Sequence, residues 1–528
     1  MDHLAILPIV LPLLAGAALV LIDEARHTLK LAINIAATLL LVGVSLLLLM
    51  EAGGGPARTS TYLLGNWPAP FGIVLVVDHL SALMVALTAI LGLGAAVFSA
   101  ARWHRAGQHF NSLFQLLLMG LNGAFLTGDL FNLFVFFEVL LAASYGLALH
   151  GSGKSRVKAS LHYIAVNLAS SSLFLIGATA IYGVTGTLNM ADLALRVPLL
   201  APADQTLMQA GAAILGVAFL VKAGMWPLGM WLPSTYAAAA PPVAAMFAIM
   251  SKLGVYVILR LTALVFGEGA GAPGDFGALA LQYGGLATII FGTVGVLASQ
   301  GVARIACFSV LVSSGTLLAA VGYENATLTA GALYYLVSST LALAALFLLV
   351  ELIERGRSPG DDVLAITLEA YGDDEETEHE QEVGTATPGA FAALGVAFIC
   401  CAILIAGMPP LSGFLGKFAI IRAMFELGGG TAVGAGVWVV IAALVASGLA
   451  ATIALMRSGI NTFWVSLEGG IPAIRWVEIA PILLLLGLGV ALTVFAHPAL
   501  GFMQTASASV YAPAGYIEAV LGSAGGQP

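Results

Sequence analysis

Charge is what this 528-residue sequence has least of: Asp, Glu, Lys and Arg together make up 9% of it. Soluble domains carry about 25%, so a surface wetted by water over most of its area is excluded. Cysteine is scarce too. The three cysteines, Cys307, Cys400 and Cys401, lie in apolar segments and two are adjacent, which gives neither a disulfide framework nor zinc-type spacing. The sequence also has no nucleophile elbow, phosphate loop or haem-type histidine pair, so nothing marks a membrane enzyme, and neither metal nor cofactor is expected. With a net charge of −9 there is no basic footprint for nucleic acid. The first apolar run lacks the basic segment that opens a signal peptide and leads at once into another run. It reads as a first transmembrane helix.

What remains is apolar: 60% of the residues are hydrophobic and the mean hydropathy is +1.01. A helix crosses a bilayer with about 20 such residues. About fourteen runs qualify, near 4–22, 29–50, 77–100, 111–128, 129–149, 158–183, 208–232, 236–266, 279–298, 302–322, 327–352, 389–425, 432–456 and 476–498. The sequence therefore predicts an all-α polytopic membrane protein. The run at 389–425 is too long for one straight span and contains Pro409-Pro410, so it is expected to break within the membrane. Basic residues set the orientation. Arg26, Lys30, Arg102, Arg105, Lys154, Arg156, Lys158, Arg304, Arg355, Arg357, Arg457 and Arg475 fall on one side, against Arg58, Arg196, Arg260 and Arg422 on or near the other. The positive-inside rule makes the first side cytoplasmic and turns both termini outward. The loop at 361–382 holds ten acidic residues and no basic one. It reads either as a solvated linker or as a docking surface for a partner.

Once loops and helix ends are set aside, four strongly charged side chains remain inside apolar runs: Glu138, Lys222, Lys252 and Lys417. A charged group at the centre of a spanning helix costs about 2.5–3.5 kcal/mol on insertion scales, and such groups normally face the bundle interior and serve ion or proton pathways. Lysine suits a proton path. Unlike arginine it can give up its proton in a dry site, and a nearby carboxylate restores the charged form. Glu138 and Lys222 are read as a pair whose separation releases a proton, which Lys252 and Lys417 carry onward. A blander reading stands beside each: a static ion pair for Glu138 and Lys222, snorkelling from a helix end for Lys252, and neutralisation of a helix C-terminus for Lys417. Arg260, Arg422 and Asp129 lie near expected helix ends and read as interfacial, and Asp78 reads as an N-cap. Asn167, Ser170, Ser171, Ser172, Ser313, Ser314, Ser338, Ser339 and Thr340 either glue helices together or hold water. An internal echo completes the pattern: Gly224-Met225-Trp226-Pro227-Leu228 recurs as Gly407-Met408-Pro409-Pro410-Leu411, near two of the lysines. Matched Gly/Pro-broken segments of this kind point to the transport site of inverted-repeat transporters.

These segments also carry a family resemblance. GDLFNLFVFFEVLLAASYGL at 128–147, FLVKAGMWPLGMWLPSTYAAAAPPVAA at 219–245, MSKLG at 250–254 and PPLSGFLGKF at 409–418 resemble the antiporter-like subunit family. That family includes the large membrane-arm subunits of respiratory complex I, the membrane-bound hydrogenases and the Mrp-type multisubunit sodium/proton antiporters. The resemblance covers residues 70–460, and Phe137, where complex I chains usually carry tryptophan, favours the D-type Mrp subunit. It implies fourteen helices in two inverted five-helix repeats with the seventh and twelfth helices broken: residues 1–110 ahead of the repeats, 111–266 and 279–456 within them, 457–528 after them. It further implies Glu138 as ion-pair carboxylate, Lys222 as its partner, Lys252 as central relay and Lys417 as terminal proton site. The implied function is secondary transport: sodium export driven by proton entry, in a prokaryotic cell membrane, within a complex with subunits A, B, C, E, F and G. A redox-driven pump subunit of a complex I-like or hydrogenase assembly is the alternative. One departure stands out. The relatives in complex I commonly place histidine and lysine on the eleventh helix, where this chain has Ser338, Ser339 and Thr340.

Overall fold

The structure is a computed structural model that describes residues 3–55, 59–151, 153–267, 277–355, 389–427, 434–463 and 475–522; the acidic loop at 361–382 lies outside them. The described residues are almost wholly helical. The helices are α1 (Leu7–Leu21), α2 (His27–Gly53), α3 (His79–Ser99), α4 (Phe110–Leu126), α5 (Leu130–Leu149), α6 (Lys154–Thr185), α7 (Met190–Arg196), α8 (Pro202–Ala223), α9 (Leu232–Ala238) and α10 (Pro241–Val265). They continue with α11 (Ala278–Ala298), α12 (Val302–Val321), α13 (Ala326–Glu354), α14 (Gly389–Ala406), α15 (Ser412–Glu426), α16 (Ala435–Phe463), α17 (Trp476–Val494), α18 (Ala496–Tyr511) and α19 (Ala514–Gly522). Among the described residues, twelve helices are long and apolar enough to cross a membrane, and two more apolar ones, Phe110–Leu126 and Phe391–Ala406, are shorter. Helices prevail because hydrocarbon offers no partner for a backbone N–H or C=O, so each segment must satisfy its own. Side chains close several starts: Asp78 accepts from the Ser81 amide at 2.8 Å, Asp129 from Asn132 at 2.9 Å and Asn325 from Leu328 at 3.0 Å.

At the centre stand α10 and α13, whose spans are buried throughout. The outer helices turn Leu14, Leu40, Leu161, Val294 and Leu449 outward, as a lipid-facing surface requires. Several helix pairs touch through their backbones, among them α6 with α8 and α11 with α12. A Cβ on Gly177 would lie 2.6 Å from the Leu215 nitrogen, and one on Gly285 2.4 Å from that of Ala319, so α6–α8 and α11–α12 approach where only hydrogen fits. A short hairpin, β1 (Ser60–Leu63) with β2 (Val74–Val77), pairs Ser60 with Val77 and Leu63 with Val74 at one end of the bundle.

The sequence echo is an echo of structure. Gly224 (φ +78°) and Gly407 (φ +75°) end α8 and α14 in left-handed conformations that favour glycine. In both, the following methionine amide reaches back past the glycine, Met225 to the Leu220 carbonyl at 3.0 Å and Met408 to Ile403 at 3.1 Å. The chain then runs irregularly to α9 and α15. The long run at 389–425 is thus interrupted as expected.

The last expected span, near 476–498, is α17, which stops at Val494. A further helix, α18, begins at Ala496, because Pro498 cannot donate into a continuing helix. The returning segment is fastened to α13: Ser507 donates to the Ala326 carbonyl at 2.7 Å, and Tyr511 meets Thr329 at 3.0 Å.

Candidate functional site

Lys222 occupies the last turn of α8, two residues before the Gly224 break, and is 1% exposed. Its ammonium donates to the Tyr163 hydroxyl at 3.4 Å and to Asn167 Oδ1 at 3.5 Å, both on α6. It also lies 5.6 Å from the ring centres of Phe137 and Tyr163, within cation–π range. Glu138, halfway along α5, is partly buried and accepts a hydrogen bond from the Ser171 hydroxyl. Among the described residues no ion pair within 4.0 Å joins Glu138 to Lys222. Between them stands one face of α6, since Tyr163, Asn167 and Ser171 recur at four-residue spacing. The acid and the base are therefore separated by neutral side chains of a shared helix.

Lys252 lies in the middle of α10 and is fully buried, which removes the snorkelling alternative. It donates to Ser313 Oγ at 2.8 Å and Ser314 Oγ at 3.3 Å on α12, and Ser313 meets Ser339 of α13 at 2.9 Å. Lys417, in the second turn of α15, is 7% exposed and donates to the carbonyl of Ala406, the last residue of α14, at 2.9 Å. That is the bond expected of a cation placed at a helix C-terminus. Lys417 also borders a small cavity, about 10 Å³, shared with Ser313, Tyr335, Ser339 and Ser447.

Arg260 corrects the interfacial reading. It lies in α10 at 7% exposure and holds Asp78 with two hydrogen bonds, 2.5 and 3.0 Å, while also meeting the Tyr256 hydroxyl at 3.3 Å. The Tyr516 ring of α19 covers it at 5.3 Å. Asp78 is therefore both the N-cap foreseen and half of a buried ion pair. Arg422 is exposed and pairs with Glu426 one turn on, and Asp129 caps α5. A second ionic cluster went unread because its members sit at helix ends. Glu351 binds Arg102 at 2.5 Å, Arg355 at 2.6 Å and the Trp103 indole at 2.5 Å, and Arg355 also binds Glu478 at 2.7 Å. It borders a cavity of about 370 Å³ with Arg156 and Glu354. Nearby His150, in the α5–α6 turn, is held below its ordinary value by burial, against the opposing effect of its bond to the Trp103 carbonyl.

Comparison with known proteins places the chain in a family. The family model described as NADH:quinone oxidoreductase/Mrp antiporter, TM, matches residues 127–442, which include all four charged residues of the candidate site. The chain belongs to that family. Within it, the chain is 58% identical over 527 residues (99% of this chain, 98% of the relative) to the D subunit of a probable K(+)/H(+) antiporter of Rhizobium meliloti. It is 34% identical over 528 residues (99% and 100%) to the D subunit of the Na(+)/H(+) antiporter of Alkalihalophilus pseudofirmus. Among solved structures it resembles a chain of the Mrp complex from Dietzia sp. DQ12-45-1b, with a TM-score of 0.81, 27% identity and coverage of 99% and 100%.

Proposed function

We propose that the chain is the D subunit of a multisubunit monovalent-cation/proton antiporter in a bacterial cell membrane, and that protons pass along Glu138, Lys222, Lys252 and Lys417. Residues 111–266 and 279–456 are assigned to two five-helix halves, each with one break. Residues 1–110 and 457–528 flank them. The observation that carries the reading is a contrast among buried bases. Arg260, which effectively never deprotonates, has a carboxylate partner in Asp78. The first contacts of Lys222, Lys252 and Lys417 are hydroxyls, an amide oxygen and a carbonyl. A lysine held only by neutral oxygens can exist as ammonium or as free amine, with no fixed countercharge left stranded when it changes. That is the property a proton carrier needs, and a static ion pair lacks it.

The names of the relatives favour antiport over a redox-driven pump, and they differ in the cation: K(+) in the relative at 58% identity, Na(+) in the one at 34%. The sodium expected from sequence is therefore tested beside potassium. Subunits A, B, C, E, F and G are the partners the reading requires. The test is cation-induced pH change in everted vesicles from a sodium-sensitive host that expresses the chain with its neighbouring genes. Wild-type exchange lost in Lys222→Ala and in Glu138→Gln, at equal assembly on native gels, is the expected result. Retained exchange in either variant removes that residue from the path. No exchange by the wild type with either cation, despite full assembly, favours the redox-pump reading.

A further inference from the structure

Between α8 and α11, over α10, lies a cavity of about 250 Å³. Met208, Gly216 and Leu220 of α8 line one side of it, and Ala280 and Leu281 of α11 the other. Among the described residues of its wall Thr262 alone has a polar side chain, and that hydroxyl donates to the Ile258 and Leu259 carbonyls of its own helix, at 2.8 and 3.2 Å. The cavity therefore offers water no partner. An apolar cavity of about 150 Å³ already stays dry and takes up benzene. Gly216 marks the open part of the wall: a Cβ there has nothing within 4 Å. Met208 and Leu220 are twelve residues apart, or about 18 Å of helix, against about 15 Å for one leaflet of a hydrocarbon core about 30 Å thick. By the orientation of the basic residues α8 enters from the outer side, so the cavity runs from the outer headgroups toward the midplane. Spread over that length, 250 Å³ is one thread wide, far too narrow for a helix about 10–12 Å across.

We propose that this cavity holds one acyl chain of an outer-leaflet phospholipid. Depth, length, width and lining all fit a single run of methylenes, and the hydrocarbon of the bilayer is the apolar molecule present at that depth. The chain fills the joint between two closely packed helix pairs, α6–α8 on one side and α11–α12 on the other. Dispersion contacts hold it there, since a wall without a partner atom forfeits them. Its tip reaches Leu220, whose carbonyl accepts the Met225 amide at the break that ends α8. The lipid tail is thus a packing element of the broken segment, seated on the side of α8 that faces α11. The inference rests on the shape of the groove and on no step of the proton relay.

The test is photolabelling of the assembled complex in liposomes that contain phosphatidylcholine with a diazirine at the end of one acyl chain, followed by peptide mapping. The α8 and α11 walls are expected to be labelled more heavily than the outward face of α16 around Leu449, which meets only bulk lipid. Gly216→Phe puts a ring into the groove and is expected to lower labelling of both walls at least about fivefold, or about 1 kcal/mol. Gly43→Phe, on the exposed face of α2 where a Cβ also meets nothing, leaves it unchanged. Walls labelled no more than the Leu449 region, or labelled equally in Gly216→Phe at equal assembly, overturn the site. Unlabelled walls beside a labelled Leu449 region overturn it too, and show that a partner subunit covers the groove. If Gly216→Phe does not assemble, Ala280→Leu fills the groove from the opposite wall, and undiminished labelling in that variant overturns the site.

Discussion

Replacing Asp78 with Asn leaves the N-cap of α3 in place, because Asn caps as well as Asp, but it strips the charge from the partner of Arg260. The guanidinium is 7% exposed and its two short bonds both end on Asp78. Removing one partner of such a pair typically costs about 3–5 kcal/mol, chiefly because the other charge stays buried without compensation. A neutral pair of similar volume costs far less, and is at times stabilising. Asp78→Asn is therefore predicted to destabilise by several kcal/mol, and Asp78→Asn with Arg260→Met to recover most of that loss. SDS-driven unfolding in mixed micelles, followed by far-UV circular dichroism, reads the free-energy differences and closes the double-mutant cycle. A loss below about 1 kcal/mol for Asp78→Asn would refute the reasoning. So would a double variant as damaged as the sum of the singles.

Three further outcomes follow from the packing and from one loop. Gly177→Ala should cost about 1–3 kcal/mol by overpacking, since its Cβ meets the backbone of α8, whereas Gly216→Ala, with nothing within 4 Å of the new methyl, should cost nothing; thermal unfolding of the two variants in detergent compares them. The corresponding Gly285→Ala should push α12 from α11 by the same contact, and loss of thermal stability like that of Gly177→Ala is the readout. In the α1–α2 loop, burial raises the Glu24 carboxyl, but the hydrogen bond and charge of Lys30, with His109, more than offset it and hold it below its ordinary value. A carboxylate with a lowered value stabilises the fold above the unfolded-state value, about 4.3, and loses that contribution as pH falls through the lowered one. The stability difference between wild type and Glu24→Gln should thus be full at neutral pH and vanish in acid, and a difference independent of pH would contradict it.

The spans were legible because apolar runs of membrane length can do little else, and the same runs made Lys222, Lys252 and Lys417 conspicuous as exceptions. The breaks were legible as well, since Gly followed by Pro two or three residues on is a local signal. What stayed hidden depends on segments far apart in sequence. Arg260 looks interfacial because it lies in the last turns of α10, yet Asp78, Tyr256 and Tyr516 enclose it. No local pattern announces that a C-terminal helix returns to the head of α3. The relation of Glu138 to Lys222 was hidden for the same reason: α6 puts Tyr163, Asn167 and Ser171 between them. Likewise the hydroxyls could be listed from sequence, but only the packing of α12 on α13 shows that Ser313 meets Ser339 while Thr340 donates within its own helix.

The enclosure of Arg260 also fixes an order of events during synthesis. Asp78 leaves the ribosome first, Arg260 follows 182 residues later, and Tyr516 a further 256 residues after that. At about 5–20 residues per second, the interval from Asp78 to Arg260 lasts roughly 9–36 s, and the lid arrives well after that. Until α19 is made, one face of the guanidinium lacks its cover. The nascent chain therefore cannot close this corner segment by segment as spans emerge, and a chain cut short before Tyr516 would have its helices threaded and this corner unsealed.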